Sequence, residues 1–376
     1  MNPRIAGAFG IAGVLLAACG GGPGEPTGTA APAAADEKVL NVYNWTDYIG
    51  RTTIADFEAK TGIKVVYDTY DSNELVETKL LTGRSGYDVV FPTATILARM
   101  ARVGVFLPLD RSKLPNHANL DPEILERLAG FDPGNRHAIP YMWGTTGIGY
   151  NPAQVKKALG TDTIDSWAAV FDPAIASKLA ACGITVLDAP EDAFEAAEIY
   201  LGNVSYDEDL DELAEAEAAV ARVQPYVRAF DSSQHVEMLA SGEVCVSLSW
   251  SGLMLQARDR GASAASPVEV RYVIPREGAP MWFDTAAIPA DAPHPDNAHA
   301  FLDFLMDPQV IAAVSNDIRY ANANAASLPF VAEDMRRDPS IYPTAEMRAR
   351  LHPSATRSQE YSRAVNRAWT RVKTGQ

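Results

Sequence analysis

Positive charge is in short supply along this chain. Against 48 Asp and Glu there are only 32 Lys and Arg, a formal net charge of −16 over 376 residues. Phosphate binding needs clustered Lys and Arg, so this balance argues against a nucleic-acid partner. An acidic field suits a cationic ligand instead. Long apolar runs are also missing. The one near the amino end, residues 11–16, is too short to span a membrane as a helix. Cysteine is scarce, with Cys19, Cys182 and Cys245 alone, and their spacing matches no metal site. The six histidines, His117, His137, His235, His294, His299 and His352, are scattered through polar or loop contexts. There is no G-x-S-x-G elbow, no H-E-x-x-H, no P-loop and no G-x-G-x-x-G. Nothing in the sequence therefore requires an enzyme, a metal or a cofactor.

What is present begins at the amino end. Arg4 precedes the short apolar core, and Leu16-Ala17-Ala18 runs straight into Cys19. A charged start, a short apolar stretch and small residues before a cut describe a signal peptide. Cysteine at that point resembles a bacterial lipobox, which implies an acylated Cys19 at the mature terminus. Residues 1–18 are then the signal, and residues 19–36, rich in Gly, Pro, Ala and Thr, a flexible tether. The expectation is a periplasmic, membrane-anchored lipoprotein. In an oxidising compartment Cys182 and Cys245 are expected to bridge, two buried free thiols being the alternative.

The rest of the chain is 47% hydrophobic and 21% charged, ordinary globular usage, and long enough for two domains. Short apolar runs at residues 40–43, 63–67 and 87–91 alternate with amphipathic segments at 52–61, 73–82 and from 93 onward. That alternation predicts an α/β lobe. Residues 105–109 read as a surface strand and 114–128 as an irregular helix. The extended residues 138–150 carry the chain from one lobe to another. Further strands are expected at 184–187, 244–250 and 268–274.

Residues 40–48 organise the reading. A strand ends in Asn44, Trp45, Thr46, Asp47 and Tyr48. In open α/β sheets ligands sit beyond the carboxyl ends of strands. An aromatic face beside a carboxylate suits an organic cation, through cation–π attraction and charge. Trp282 and Asp284 repeat the Trp-x-Asp pattern, and Trp250, Asp192 and Tyr320 are candidates to join them. Each has a plainer role available. The aromatics suit a solvent-edge cluster, Thr93 and Thr95 suit a helix N-cap, and Asp192 suits the first turn of a helix. Paired carboxylates in an aromatic cleft also describe glycoside hydrolases, so an exported carboxylate-based hydrolase is the alternative from another class.

Longer runs carry a more specific signal: VLNVYNWTDYI from Val39, TGIKVVYDTYDSNE from Thr61, PYMWGTTGIGYN from Pro140, FDTAAIPADA from Phe283, YANAN from Tyr320 and RAWTRVKTG from Arg367. With these the chain resembles the periplasmic polyamine-binding proteins of ABC transporters, closest to the putrescine-binding lineage. The resemblance implies a periplasmic binding protein type II fold, two α/β lobes joined by crossing hinge strands with a ligand cleft between them. It implies lobes of residues 37–144 plus 268–319 and 145–267 plus 320–376. Trp45, Trp250, Trp282 and Tyr320 would form an aromatic cage with Tyr48 beside it. Asp47, Asp192 and Asp284 would take ammonium groups, and Thr46 and Thr93 would add hydroxyl or backbone contacts. The family's disulfide falls on Cys182 and Cys245. The implied partners are a polyamine, putrescine or spermidine, and an ABC permease in the inner membrane, served by a monomer. A polyamine-sensing receptor component is a further alternative. Three positions depart from the putrescine type: Leu253 where that type carries aspartate, Trp282 for phenylalanine, and Asp192 for glutamate.

Overall fold

The computed structural model describes residues 37–204 and 208–375. The expected signal segment, Cys19 and the tether lie outside the described residues. The first strand, β1 (Val39–Trp45), alternates so that Leu40, Val42 and Asn44 are buried, the period-two pattern of a pleated strand. It pairs in parallel with β2 (Lys64–Tyr70) and β3 (Val89–Val90). Parallel neighbours require crossovers, here the helices Thr53–Thr61 and Asn73–Leu81.

The next strand, β4 (Ala138–Tyr150), is buried along its whole length. There follow β5 (Ile184–Val186), β6 (Ala229–Phe230), β7 (Val246–Trp250), β8 (Arg271–Val273), β9 (Ala279–Ala287), β10 (Ala321–Asn322) and β11 (Leu351–Pro353). The order across the sheet is β2-β1-β3-β9-β4-β7-β5-β6. The strand β4 belongs to both halves. Its residues 138–145 pair antiparallel with β9, and Thr146–Tyr150 pair antiparallel with β7. The extended stretch expected to carry the chain between lobes is thus one continuous strand. Two α/β lobes meet along it, as expected.

Three elements differ from expectation. The strand β10, within the residues expected in the second lobe, pairs antiparallel with Met142 and Trp143, in the half that holds β9. Residues 268–274 were expected as a first-lobe strand, yet β8 pairs with Ile148–Tyr150, in the half that holds β7. Both β8 and β9 run antiparallel along one edge of β4, and because β4 passes from half to half, its edge partners change lobe with it. Residues 105–109 form no ladder. Phe106 makes one isolated bridge to Pro289, since Pro108 and Pro289 each lack the N–H that extension needs.

Each half has its own core. Phe57 meets Phe301 edge-on, ring centres 5.0 Å apart, both fully buried. In the other half Trp167 is fully buried and its indole donates to the Gly278 carbonyl at 2.9 Å. The terminal helix Gln359–Thr374 docks by Trp369, whose indole donates to Asp188 at 2.7 Å and whose ring meets Phe194 at 5.5 Å. This contact fixes the helix Pro190–Leu201, which carries Asp192. Among the described residues no helix is long and apolar enough to cross a membrane, and no His/Cys/Asp/Glu group is placed to hold a metal ion.

Cys182 and Cys245 form a disulfide with a sequence separation of 63. In the chain-entropy account, closing a loop of that length destabilises the unfolded chain by about 4 kcal/mol. Reduction is expected to lower the unfolding free energy by about 2–4 kcal/mol while leaving the fold intact. Thiol titration of the unfolded, unreduced chain checks the bridge. Reactivity at both Cys182 and Cys245 would refute it.

Candidate functional site

A cavity of about 120 Å3 lies where the two halves meet. All ten residues singled out from the sequence line it: Trp45, Thr46, Asp47, Tyr48, Thr93, Asp192, Trp250, Trp282, Asp284 and Tyr320. They arrive from distant parts of the chain. Trp45 ends β1 and Trp250 ends β7. Trp282 and Asp284 were expected at a strand end, but they lie within β9, two residues apart and so on one face. They reach the cavity because β9 crosses between the halves at mid-length. Asp47 turns the chain after β1 with φ of 55°, a left-handed conformation that Asp tolerates better than most side chains.

The rings lock one another in place. Trp282 and Tyr320 stand 5.4 Å apart at 66°, and Tyr48 and Tyr320 5.3 Å apart at 81°. Trp45 faces Trp250 at 6.5 Å, and its indole donates to the Phe91 carbonyl at 2.8 Å. Two glycines permit this packing. A Cβ on Gly144 would sit 2.6 Å from the Trp282 ring, and one on Gly252 would sit 2.4 Å from the Tyr320 ring. Side chains there would push the rings into the cavity.

Five carboxylates line the cavity, Asp47, Glu191, Asp192, Glu195 and Asp284, with no Lys, Arg or His beside them in its wall. Asp192 accepts from the Thr146 hydroxyl at 2.6 Å and the Trp250 indole at 2.9 Å. Its place in the first turn of its helix is therefore not its whole role. Burial still raises its carboxyl above the usual range. Asp284 accepts from the Tyr48 hydroxyl at 2.7 Å, while its Oδ1 is buried without a hydrogen-bond partner among the described residues. Burial pushes it up to about 7; the Tyr48 bond pulls it down and the nearby Asp192 raises it further. Burial pushes Glu195 up to about 8 against the pull of the Ser354 hydroxyl, which donates to it at 2.7 Å. Glu191 has basic help from outside the wall, Arg99 at 3.9 Å, itself paired with Glu77 at 2.9 Å.

Thr93 occupies the N-cap position of the helix Ala94–Ala101 but its side chain caps nothing. Its hydroxyl instead meets Asn73 at 3.2 Å and Thr95 at 3.0 Å on the cavity rim. Sequence reasoning missed Glu191 and Glu195 as wall residues. Their spacing on a helix with Asp192 was the available signal. For Phe131 and Ser354 no local pattern existed. Leu253 lines the cavity, and its backbone N–H donates to the Tyr320 hydroxyl at 3.2 Å. A wall of rings and carboxylates, with no basic side chain among its lining residues, is chemically fitted to an organic cation.

Comparison with known proteins agrees. Residues 52–343 match the family described as bacterial extracellular solute-binding protein. The chain is 47% identical over 343 residues to the putrescine-binding periplasmic protein SpuD of Pseudomonas aeruginosa, covering 91% of this chain and 94% of that one. It is 46% identical over 344 residues to the putrescine-binding periplasmic protein PotF of Escherichia coli, covering 91% and 93%. Its fold matches the crystal structure of the spermidine/putrescine ABC transporter substrate-binding protein PotD from Streptococcus pneumoniae with a TM-score of 0.75 at 26% identity, over 90% of this chain and 99% of that one. The fold is that of the type II periplasmic binding proteins, and the chain belongs to the bacterial extracellular solute-binding proteins.

The raised carboxyls carry a pH signature. Asp284 titrates near 3.8 when unfolded and about 7 when folded. Below about 4 both states hold the proton and nothing is lost. Between about 4 and 7 the unfolded chain releases its proton first, so stability falls as pH rises. Above 7 the loss is complete. Asp284→Asn is expected to remove this share of the decline. Denaturant unfolding of the empty protein at pH 5 and pH 8 checks it, and an equal decline in the variant would overturn the assignment.

Proposed function

We propose that this solute-binding protein captures a protonated polyamine, putrescine or spermidine, in the cleft between its lobes and delivers it to an inner-membrane ABC permease. The observation that carries this reading is the cavity wall: five carboxylates, large aromatic rings and no basic side chain. The methylene chain would lie along Trp250 and Trp282, leaving water at roughly 25 cal/mol per Å2. Ammonium ends would meet Asp47, Asp192 and the unpartnered Oδ1 of Asp284. An ammonium left unpaired in a dry cleft costs on the order of 3–5 kcal/mol, so carboxylate spacing selects chain length. Trp45, Tyr48 and Tyr320 complete the aromatic cage, and Thr46 and Thr93 stand at its rim.

The first lobe in this reading is residues 37–144 plus the β9 segment to residue 319, and the second is the remainder, with β8 joining it and β10 leaving it by their pairing. Closure brings the two together around ligand, a hinge motion at the crossing strands biased by contacts with both lobes. Cys19 would tether a monomer to the membrane surface. The likeness to putrescine-binding transport proteins favours transport over the hydrolase reading and over a sensing role.

Calorimetric titration with putrescine, cadaverine, spermidine and agmatine tests the reading, after copurified ligand is stripped by unfolding and refolding. Tight binding of one polyamine is expected. No heat with any of them from folded protein would overturn it. Asp284→Ala is expected to weaken binding at least about tenfold, a cost of ~1.4 kcal/mol or more. Trp282→Ala is expected to be similarly harmful. Normal affinity in a folded variant would remove that residue from the site.

A further inference from the structure

We propose that Glu195, held by Ser354, is an additional anionic contact of the cleft that selects ligands carrying a third, internal cationic nitrogen. This rests on the polyamine reading above and deepens it. Glu195 lies three residues beyond Asp192 on the helix Pro190–Leu201, which places the two on one face. Both line the cavity. The carboxylates there are not equivalent. Asp192 is engaged by Thr146 and Trp250, and Glu191 is approached by Arg99. Glu195 is 6% exposed, and its hydrogen bond is to a neutral hydroxyl, that of Ser354. The guanidinium of Arg357 lies farther along the same helix face, 3.9 Å from Glu198 and over the ring of Tyr361.

Asp284, Asp192 and Glu195 line one cavity. Asp192 raises both of the others, Glu191 raises Glu195 as well, and Arg357 pulls Glu195 down. A second observation points to a ligand beside these carboxyls: Oδ1 of Asp284, on a residue 6% exposed, has no hydrogen-bond partner among the described residues. Leu253 adds no charge to the wall, so the charge beyond Asp47 and Asp284 comes from the helix Pro190–Leu201.

A diamine satisfies Asp284 and Asp192 at its two ends. Glu195 then keeps its own proton, because burial beside Asp192 outweighs the pull of the Ser354 hydroxyl and of the Arg357 guanidinium. A triamine brings a further N–H to that position. The ligand nitrogen takes the place of the carboxyl proton, which leaves to solvent. Selection of this kind comes from a difference between two ligands, not from tighter binding of all of them.

The test compares putrescine with spermidine by calorimetry on the wild type, Glu195→Gln and Ser354→Ala. Glutamine keeps the size and a carbonyl for the Ser354 hydroxyl but cannot carry charge. Glu195→Gln is expected to lose at least ~tenfold in spermidine affinity while putrescine affinity shifts by less than about threefold. Ser354→Ala is expected to move the ratio the same way by a smaller factor, so the proposal stays testable should the first variant fold poorly. Equal losses for both ligands, or no change for either, would overturn the role of Glu195. So would a wild type that binds putrescine and not spermidine. A wild type that binds no polyamine would instead overturn the reading of the cleft itself.

Discussion

Unbalanced negative charge is the constraint around which the cleft is built. Carboxylates taken from water without a counter-ion either acquire one or keep a proton. Asp284 sits in that position with Tyr48 as its hydrogen-bond donor, and at Glu195, bonded by Ser354, burial outweighs the pull of Arg357. Such groups would relax towards water if the surrounding rings were loose. They do not, because Trp282, Tyr320 and Tyr48 brace one another, and Gly144 and Gly252 leave the rings room to lie close to the backbone. The unfavourable charge and the rigid apolar wall are two parts of one device: the wall keeps water out, and exclusion of water makes a cation worth binding.

The scaffold for this device is the crossing of β4 and β9. A strand buried along its whole length cannot leave the sheet cheaply, and β4 ties both sheet halves to one continuous element whose register against β9 shifts between Pro140 and Trp143. With β9 alongside, Trp282 and Asp284 project at the level where the halves meet. Residues from β1, β7 and the helix Pro190–Leu201 converge on that level from either side.

Much of this was legible in the chain. Trp45 and Asp47 at the end of β1, and Trp250 at the end of β7, announce themselves by a strand that stops at an aromatic. The repeated Trp-x-Asp at Trp282 identified the partner wall, although its place within β9 could not be read, since a local pattern does not say where two lobes meet. Thr93 looked like a helix cap, and only the geometry turns its hydroxyl towards Asn73 and Thr95. Glu195 was readable in principle from its spacing with Asp192. Ser354 was not, because it reaches the cavity through the pairing of β11 with β9, a contact between segments far apart in sequence. The edge change of β8 was hidden for the same reason: pairing partners are a property of the sheet, not of the strand.

The contribution of Ser354 has a consequence in time. A chain that leaves the ribosome amino end first presents Trp45 and Asp47 early, while Ser354 and the helix Gln359–Thr374 arrive last. Until they do, the helix bearing Asp192 and Glu195 lacks the Trp369 contact that fixes it, and β9 lacks β11 beside it. The cleft is therefore finished only at the end of synthesis.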